Sequence, residues 1–295
     1  MTQKILITGA SGGFGKLTVL TLLQNGHQVA ASMRDINGKN KNVANELRQA
    51  GAIIIEIDVT DDASVTNGVK NAIAELNGLD VLINNAGLGV LGMLEFYTES
   101  DFQKVFDINV FGVQRMNRAV VPYFREQKNG LIVYTSSLLG RIALPFYGAY
   151  QASKWALEAL AENYRVELST FGIENCIVEP GGYPTAFSDN LLRPSDKSRE
   201  ASYGDFAKVP EHSLHNFENV LKNNPQQNPQ KVADAFANLI EKPKGEKPFR
   251  TPVDFIGMSD PIQKYNELLE QIMTGLYTNF GINGLLTVKK EIDIL

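Results

Sequence analysis

A single cysteine, Cys176, stands in 295 residues, so no disulfide can form within the chain. That scarcity fits a reducing compartment, and a cytoplasmic location is expected. Ile173, Ile177 and Val178 around it predict a thiol on a buried strand, packed as a small hydrophobe rather than used in catalysis. No run of about 18 apolar residues occurs, so no membrane span is expected. Only Ile5-Leu6-Ile7 is apolar before Thr8-Gly9, too little for the core of a secretion signal. Positive charge is not in excess: 28 Lys and Arg face 33 Asp and Glu, a net charge of −5. That balance argues against nucleic acid as a main partner. Histidine is scarce too, with 3 in the chain. His212 and His215 have no third ligand and no His-Glu-x2-His pattern beside them, so no metal site is expected and a polar contact in a loop is.

What remains is ordinary in amount and ordered in pattern. Apolar residues make up 43% of the chain, enough for a sizeable core. Strand-like and helix-like stretches alternate: strand at residues 3–8, an apolar helix with Leu17, Leu20 and Leu23, strand at 28–33, helix at 43–50, strand at 52–57, helix at 62–76 and strand at 79–83. A long helical stretch at 102–127, a strand at 131–135, a helix at 149–170 and a strand at 173–179 continue it. Such alternation predicts a doubly wound parallel sheet of the α/β class. With no internal repeat or linker, residues 1–295 read as a single domain. The alternation stops after Thr185. Residues 186–225 read as a lid or substrate loop beside a site. Residues 226–295 read as a C-terminal elaboration, with helices at 229–240 and 261–272, a last strand at 249–253 and no clear pattern from Thr274 onward.

Chemistry-bearing residues fall at the strand ends. Gly9-Ala10-Ser11-Gly12-Gly13-Phe14-Gly15 lies between the first strand and first helix, the geometry that sets a pyrophosphate on a helix N-terminus. Glycine suits this turn because a Cβ would block the close approach of backbone to ligand. Arg34 directly follows the second strand, where an arginine accommodates a 2′-phosphate and an acid binds a 2′-hydroxyl. Arg34 with Ser11 favours NADP; Asp35, one step further out, is the counter-argument. Asp58 reads either as an acceptor for an adenine amino group or as a helix N-cap. Asn84 reads as a tie for backbone at a strand end. Asn109 sits inside a helical stretch where an amide has no propensity reason to be; it serves a kinked turn, a water near a site, or both.

Tyr150 and Lys154 form the only Tyr-x3-Lys pair in the chain. At the start of a helix they share a face. A free phenol, with a pKa of about 10, is a weak acid-base group near neutral pH. A nearby ammonium favours the phenolate and is expected to lower that value. Ser137, ending the strand at 131–135, is placed to hold a substrate oxygen beside Tyr150.

Thr8-Gly9-x3-Gly13-x-Gly15, Asn84-Asn85-Ala86-Gly87, Asn109, Ser137, Tyr150-x3-Lys154 and Pro180-Gly181 occur in this order. Together, over residues 3–187, they resemble the classical short-chain dehydrogenase/reductase family. Ala31-Ser32-Met33-Arg34-Asp35 and Thr185-Ala186-Phe187 are similar to its 17β-hydroxysteroid and retinol dehydrogenase-like branch. The resemblance implies a Rossmann-type fold and an NADP-dependent carbonyl reductase or alcohol dehydrogenase. It implies that Tyr150 is the general acid, that Lys154 lowers its pKa and binds the nicotinamide ribose, that Ser137 holds the carbonyl oxygen and that Asn109 holds a relay water. It also implies phosphate contacts from Gly9 to Gly15 (with Ser11, Gly12, Gly13 and Phe14), adenine reading by Asp58 with Val59, and a carboxamide contact from Thr185. Asn85, Ala86, Gly87, Pro180 and Gly181 complete the cofactor site. Pro180-Gly181-Gly182 departs from the branch by an extra glycine, which puts the pocket floor in doubt.

The loops that converge there supply an apolar wall: Leu88, Leu91, Leu138, Leu139, Leu144, Phe146, Tyr147, Phe187 and Leu191. Such a wall suits bulky hydrophobic ketones or secondary alcohols. Two other readings stand beside the reductase: an epimerase or dehydratase of the same fold, and a non-catalytic dinucleotide sensor. Trp155, Leu157, Leu160, Tyr164 and Leu168 give the 149–170 helix more apolar surface than one core-facing stripe needs. Family members pair through this helix and the one holding Asn109, so a homodimer or homotetramer is expected.

Overall fold

The computed structural model describes residues 2–288. Seven strands, β1 (Lys4–Ile7), β2 (Gln28–Met33), β3 (Ile53–Glu56), β4 (Val81–Asn84), β5 (Gly130–Thr135), β6 (Ile173–Pro180) and β7 (Arg250–Val253), form one parallel sheet in the order β3-β2-β1-β4-β5-β6-β7. Side chains alternate across it. Ile5, Ile7, Val81, Ile83, Leu131 and Val133 face one core; Leu6, Leu82, Ile132 and Tyr134 face the other. Helices α1 (Gly13–Gln24) and α2 (Lys41–Gln49) cover the first face, joined later by α9 (Gln230–Glu241). Helices α3 (Asp62–Leu76), α5 (Gly112–Gln127) and α6 (Gly148–Ser169) cover the second. Because both faces are covered, strands read as near-continuous apolar runs. The strand order reverses between β1 and β4, which opens a crevice at the carboxyl ends of the strands.

Several expectations are corrected. The fully buried stripe of α1 is Gly15, Thr18, Val19 and Leu22; Leu20 and Leu23 are only partly buried against the same core. The 102–127 stretch is not one helix. It divides into α4 (Glu99–Phe106), opened by a Thr98–Asp101 capping box, a π-helical turn (Asp107–Phe111) and α5. The interruption turns Asn109 fully inward, as such bulges often do near functional sites. The 186–225 excursion is largely helical: a short α7 (Glu200–Tyr203), a 3-10 turn (Gly204–Lys208) and α8 (Val209–Lys222). The last helix, α10 (Ser259–Asn279), runs past residue 272, and a 3-10 turn follows at Asn283–Leu286. The end of the patternless tail, residues 289–295, lies outside the described residues. Among the described residues no helix is long and apolar enough to cross a membrane.

Candidate active site

The glycine turn is built by close approach. Gly9 has φ +68°, and a Cβ there would lie 2.7 Å from Ala86 Cα. A Cβ on Gly15 would strike the Gly9 carbonyl and the Asn85 amide. Thr8 Oγ1 accepts from the Asn85 and Ala86 N–H groups, each at 3.0 Å, and Asn85 Nδ2 donates to the Thr8 and Gly9 carbonyls at 2.9 and 3.1 Å. Asn85 is therefore the tie between β1 and β4. Asn84, expected in that role, instead donates to Asn117 in a buried chain that continues through Tyr134 to Asn175. Gly12 caps α1 with no side-chain partner, and a Cβ on it would meet open space. The first N–H groups of α1 thus face an open cradle beside exposed Ser11. Gly13 faces Thr185 across that cradle, while Phe14 packs edge-on against Tyr183, 5.5 Å between centroids.

At the end of β2, Arg34 is 66% exposed and its Nη1 lies 3.8 Å from Asp58 Oδ2. Asp35 has φ +52° and turns its carboxylate into its own loop, accepting from the Lys39 N–H at 2.7 Å. Asp58 does not cap a helix; Asp61 does, accepting from the Ser64 N–H at the start of α3. Burial raises the Asp58 carboxyl, but hydrogen bonds from the Thr60 backbone and side chain, with Arg34 and Arg115 nearby, hold it below its ordinary value. Val59 is buried under Gly112.

The Ser–Tyr–Lys group converges at the ends of β5 and β6. Ser137 is buried; its Oγ accepts from the Leu139 N–H at 3.1 Å and donates weakly to the Pro180 carbonyl at 3.4 Å. Lys154 is 4% exposed and its Nζ donates to the Thr135 carbonyl at 2.7 Å. The same Nζ stands 5.5 Å from the Tyr150 ring centroid. Burial pushes Lys154 down to about 8, against the opposing charge of Glu158. Burial also pushes Tyr150 up to about 12, with the Ser137 hydroxyl opposing. Tyr150 keeps some accessible surface, as a cleft wall does. The sign of the Tyr150 shift is thus opposite to the expectation from Lys154: burial sets the direction, and the Lys154 donor is turned to Thr135. Asn109 clamps Leu88 from both sides, Oδ1 accepting from the Leu88 N–H at 2.8 Å and Nδ2 donating to its carbonyl at 2.9 Å. Nδ2 also donates to Ser153 Oγ at 2.9 Å, so the amide hydrogens are spent.

The residues expected in the wall differ in burial. The Phe187 ring sits 5.9 Å from that of Tyr150, and Phe187 and Leu191 fill the space a Cβ on Gly89 would need. Leu139 and Tyr147 are half-buried, as is Phe146, whose φ is +75°. Leu138 and Leu91 are buried at 5% and 0% exposure, so they are core as much as wall, and Leu144 stands exposed at the rim. Gly181 lies against Asp254, and no Cβ would fit there. Sequence reading missed Phe217 of α8, which occupies the space a Cβ on Gly182 would need. It also missed Asp101, which accepts from the Ser195 N–H at 3.0 Å and Ser195 Oγ at 2.7 Å and pins the chain leaving the wall. Aromatic residues in the irregular stretch were the available signal. His212 and His215 lie exposed on α8. Cys176 is buried and pushed up to about 12 by burial, a packing thiol.

A parallel sheet with a glycine turn on its first crossover, opening on a crevice, defines a Rossmann-type dinucleotide-binding protein. The short chain dehydrogenase model matches residues 3–195. The chain belongs to the short-chain dehydrogenase/reductase family, an oxidoreductase family that binds nicotinamide dinucleotides, and to its retinol and 17β-hydroxysteroid dehydrogenase-like branch. It is 36% identical over 252 residues to a 3-ketodihydrosphingosine reductase of Bacteroides thetaiotaomicron, covering 85% of this chain and 87% of that one. It is 34% identical over 250 residues to human retinol dehydrogenase 8, covering 81% and 78%. A short-chain dehydrogenase from Streptomyces avermitilis superposes with a TM-score of 0.73 at 26% identity, covering 95% of this chain and 98% of that one.

Proposed function

We propose that the protein is an NADP(H)-dependent oxidoreductase acting between a bulky hydrophobic ketone and its secondary alcohol. The observation that carries this reading is the meeting of Ser137, Tyr150 and Lys154 beside apolar Phe187, two strands over from an open glycine cradle. The cradle fits a dinucleotide: Gly9 and Gly15 admit backbone where a Cβ would not fit, and the N-terminus of α1 has no capping side chain. Gly9, Ser11, Gly12, Gly13, Phe14 and Gly15 would hold the phosphates, mainly through backbone. Asp58 and Val59 would meet the adenine. Arg34, exposed and 3.8 Å from Asp58, would take a 2′-phosphate, whereas Asp35 is engaged with its own loop, which favours NADP over NAD. Asn85, Ala86, Gly87, Pro180, Gly181 and Thr185 would frame the nicotinamide end.

A bound nicotinamide supplies or accepts the hydride. Ser137 would donate to the substrate oxygen, giving up its long bond to Pro180. Tyr150, held protonated by its surroundings, would give its proton to the forming alkoxide. Lys154 would bind the ribose and carry positive charge beside the phenol. Asn109 would hold the Leu88 loop in place, leaving any part in a proton relay to its main chain. Residues 186–225 would serve as a lid, with Phe187, Leu191 and Phe217 against the substrate. A cytoplasmic location is proposed from the single cysteine, and a homodimer or homotetramer from exposed Trp155 and Phe111, although Leu157 and Leu168 of the expected face are core.

The test is NADPH oxidation against a panel of hydrophobic ketones. A 3-ketodihydrosphingosine-type ketone comes first, because the Bacteroides relative is named for it. Turnover supports the reading. Binding of NADPH with no turnover on any ketone would move the protein to the sensor class.

A further inference from the structure

Behind the Ser–Tyr–Lys group lies a buried ionic quartet that the proposed reaction does not use. Glu158 is 2% exposed on α6, one helical turn after Lys154. Glu179 is fully buried near the end of β6, one residue before the Pro180 that accepts from Ser137. Arg141 and Arg250 stand between the two carboxylates. Arg250 Nε lies 3.0 Å from Glu158 Oε2 and 3.5 Å from Glu179 Oε1. Arg141 lies 3.5 Å from Glu158 and 3.9 Å from Glu179. Asn266 of α10 donates to Glu179 Oε2 at 2.6 Å, and Glu162 closes the outer side of Arg250.

The quartet is incompletely satisfied: Arg141 Nε and Glu179 Oε1 are buried without a hydrogen-bond partner. Glu158 Oε1 and Ser136 Oγ are both buried and without a hydrogen-bond partner. Both lie beside Gly140: a Cβ there would come within 2.7 Å of Ser136 Oγ and 3.3 Å of Glu158 Oε1. Gly140 thus leaves room for a bare carboxylate oxygen on the strand-end side of α6. Among the described residues Lys154 has no salt bridge; its ammonium rests on the neutral Thr135 carbonyl. The formal charge that acts on it is Glu158, and Tyr150 is the other titratable group at its side. An ammonium taken out of water loses its proton unless an anion supports it.

We propose that Glu158 is a positioning residue for the reaction: paired to Arg141 and Arg250 one helical turn from Lys154, its carboxylate supports the buried Lys154 ammonium. This rests on the reading of Lys154 as part of the reaction site. Glu179 shares the same arginines, and burial first and the Glu158 charge second raise its carboxyl above the ordinary value. One consequence is that a neutral residue at position 158 weakens the site without touching substrate or cofactor.

The experiment follows the Lys154 side chain itself. In the cofactor-free protein carrying 13C-lysine, the Lys154 Cε resonance, assigned by its loss in Lys154→Gln, is titrated against pH. A midpoint near 8 is expected for the wild type. Glu158→Gln should lower it by about one pH unit, and Glu158→Asp should restore most of the difference. The alkaline limb of turnover should move to lower pH by the same amount in Glu158→Gln. If Glu158→Gln does not accumulate folded, Arg141→Gln and Arg141→Gln/Glu158→Gln, which lose opposite charges together, carry the same comparison. An unchanged midpoint in the neutral variant overturns the proposal. So does failure of both neutral variants to fold, which assigns Glu158 to structure alone. A shifted midpoint in a protein that reduces no ketone would leave the Glu158–Lys154 coupling standing and sink the reductase reading instead.

Discussion

Gly9→Ala tests whether the glycine turn is fixed by close approach rather than by flexibility. At φ +68° an alanine side chain is strained by about 1–2 kcal/mol. The stiffer unfolded chain returns about 0.4–1 kcal/mol of that. The new Cβ would also lie 2.7 Å from Ala86 Cα and 3.0 Å from Ala86 N, both main-chain atoms. Ala86 cannot easily yield, because its N–H is held by Thr8 Oγ1 at 3.0 Å in the tie between β1 and β4. Crowding of this kind adds about 1–3 kcal/mol. The expected total loss is about 2–4 kcal/mol. Gly26→Ala is the matched control, with φ +82° and nothing within 4 Å of the added atom. It pays the conformational part alone, about 1 kcal/mol or less. Urea unfolding of both variants, followed by circular dichroism, reads the difference. If Gly9→Ala and Gly26→Ala unfold at the same midpoint, the close-approach argument is wrong. NADPH binding, followed by fluorescence, should weaken in the first and not in the second.

Arg34→Ala should raise the KM for NADPH by about tenfold or more while leaving that for NADH nearly unchanged; equal effects on both would remove Arg34 from the 2′-phosphate. Asn109→Ala strands the Leu88 N–H and carbonyl and should cost about 2–4 kcal/mol in urea unfolding, whereas a loss below about 1 kcal/mol would mean the clamp is not formed. Phe217→Ala should open the space beside Gly182 and change relative kcat/KM values among ketones of different bulk, with unchanged selectivity as the contrary result. Glu179 is raised above its ordinary value of 4.5, by burial first and by the Glu158 charge second. The folded state therefore binds the extra proton, so this contribution to stability is full below about pH 4.5 and is lost as the pH rises through the folded-state value. Glu179→Gln should flatten that decline in urea midpoints measured across pH, and an unaltered slope would place the proton elsewhere.

The sheet and its helices were legible because each strand is an apolar run closed by a turn and each helix has its own period. Gln28–Met33 and Asp62–Leu76 were read at the boundaries the structure has. The break at residues 107–111 was not legible as a π turn, since it comes from tertiary bonds between Asn109 and Leu88 that leave no mark on local propensity. Asn109 was nonetheless visible as an amide out of place. The exchange of Asn84 and Asn85 has a similar cause. Which of two adjacent amides faces the neighbouring strand depends on the pleat, and β4 runs one residue further than its apolar run suggests. Helix α8 was missed because the stretch before it is irregular and the partner of its Phe217, Gly182, lies far away in sequence. The direction of the Tyr150 shift was missed because the sequence pairs phenol with ammonium and is silent on burial, which here sets the direction.

The most direct test of the central claim is turnover by Tyr150→Phe. The substitution keeps the ring that packs near Phe187 and removes the proton donor. With a ketone turned over by the wild type, kcat should fall by about 10²–10⁴ while NADPH affinity and the unfolding midpoint stay as they were. Turnover at the wild-type rate in this variant would contradict the account, because the proton would then come from another group.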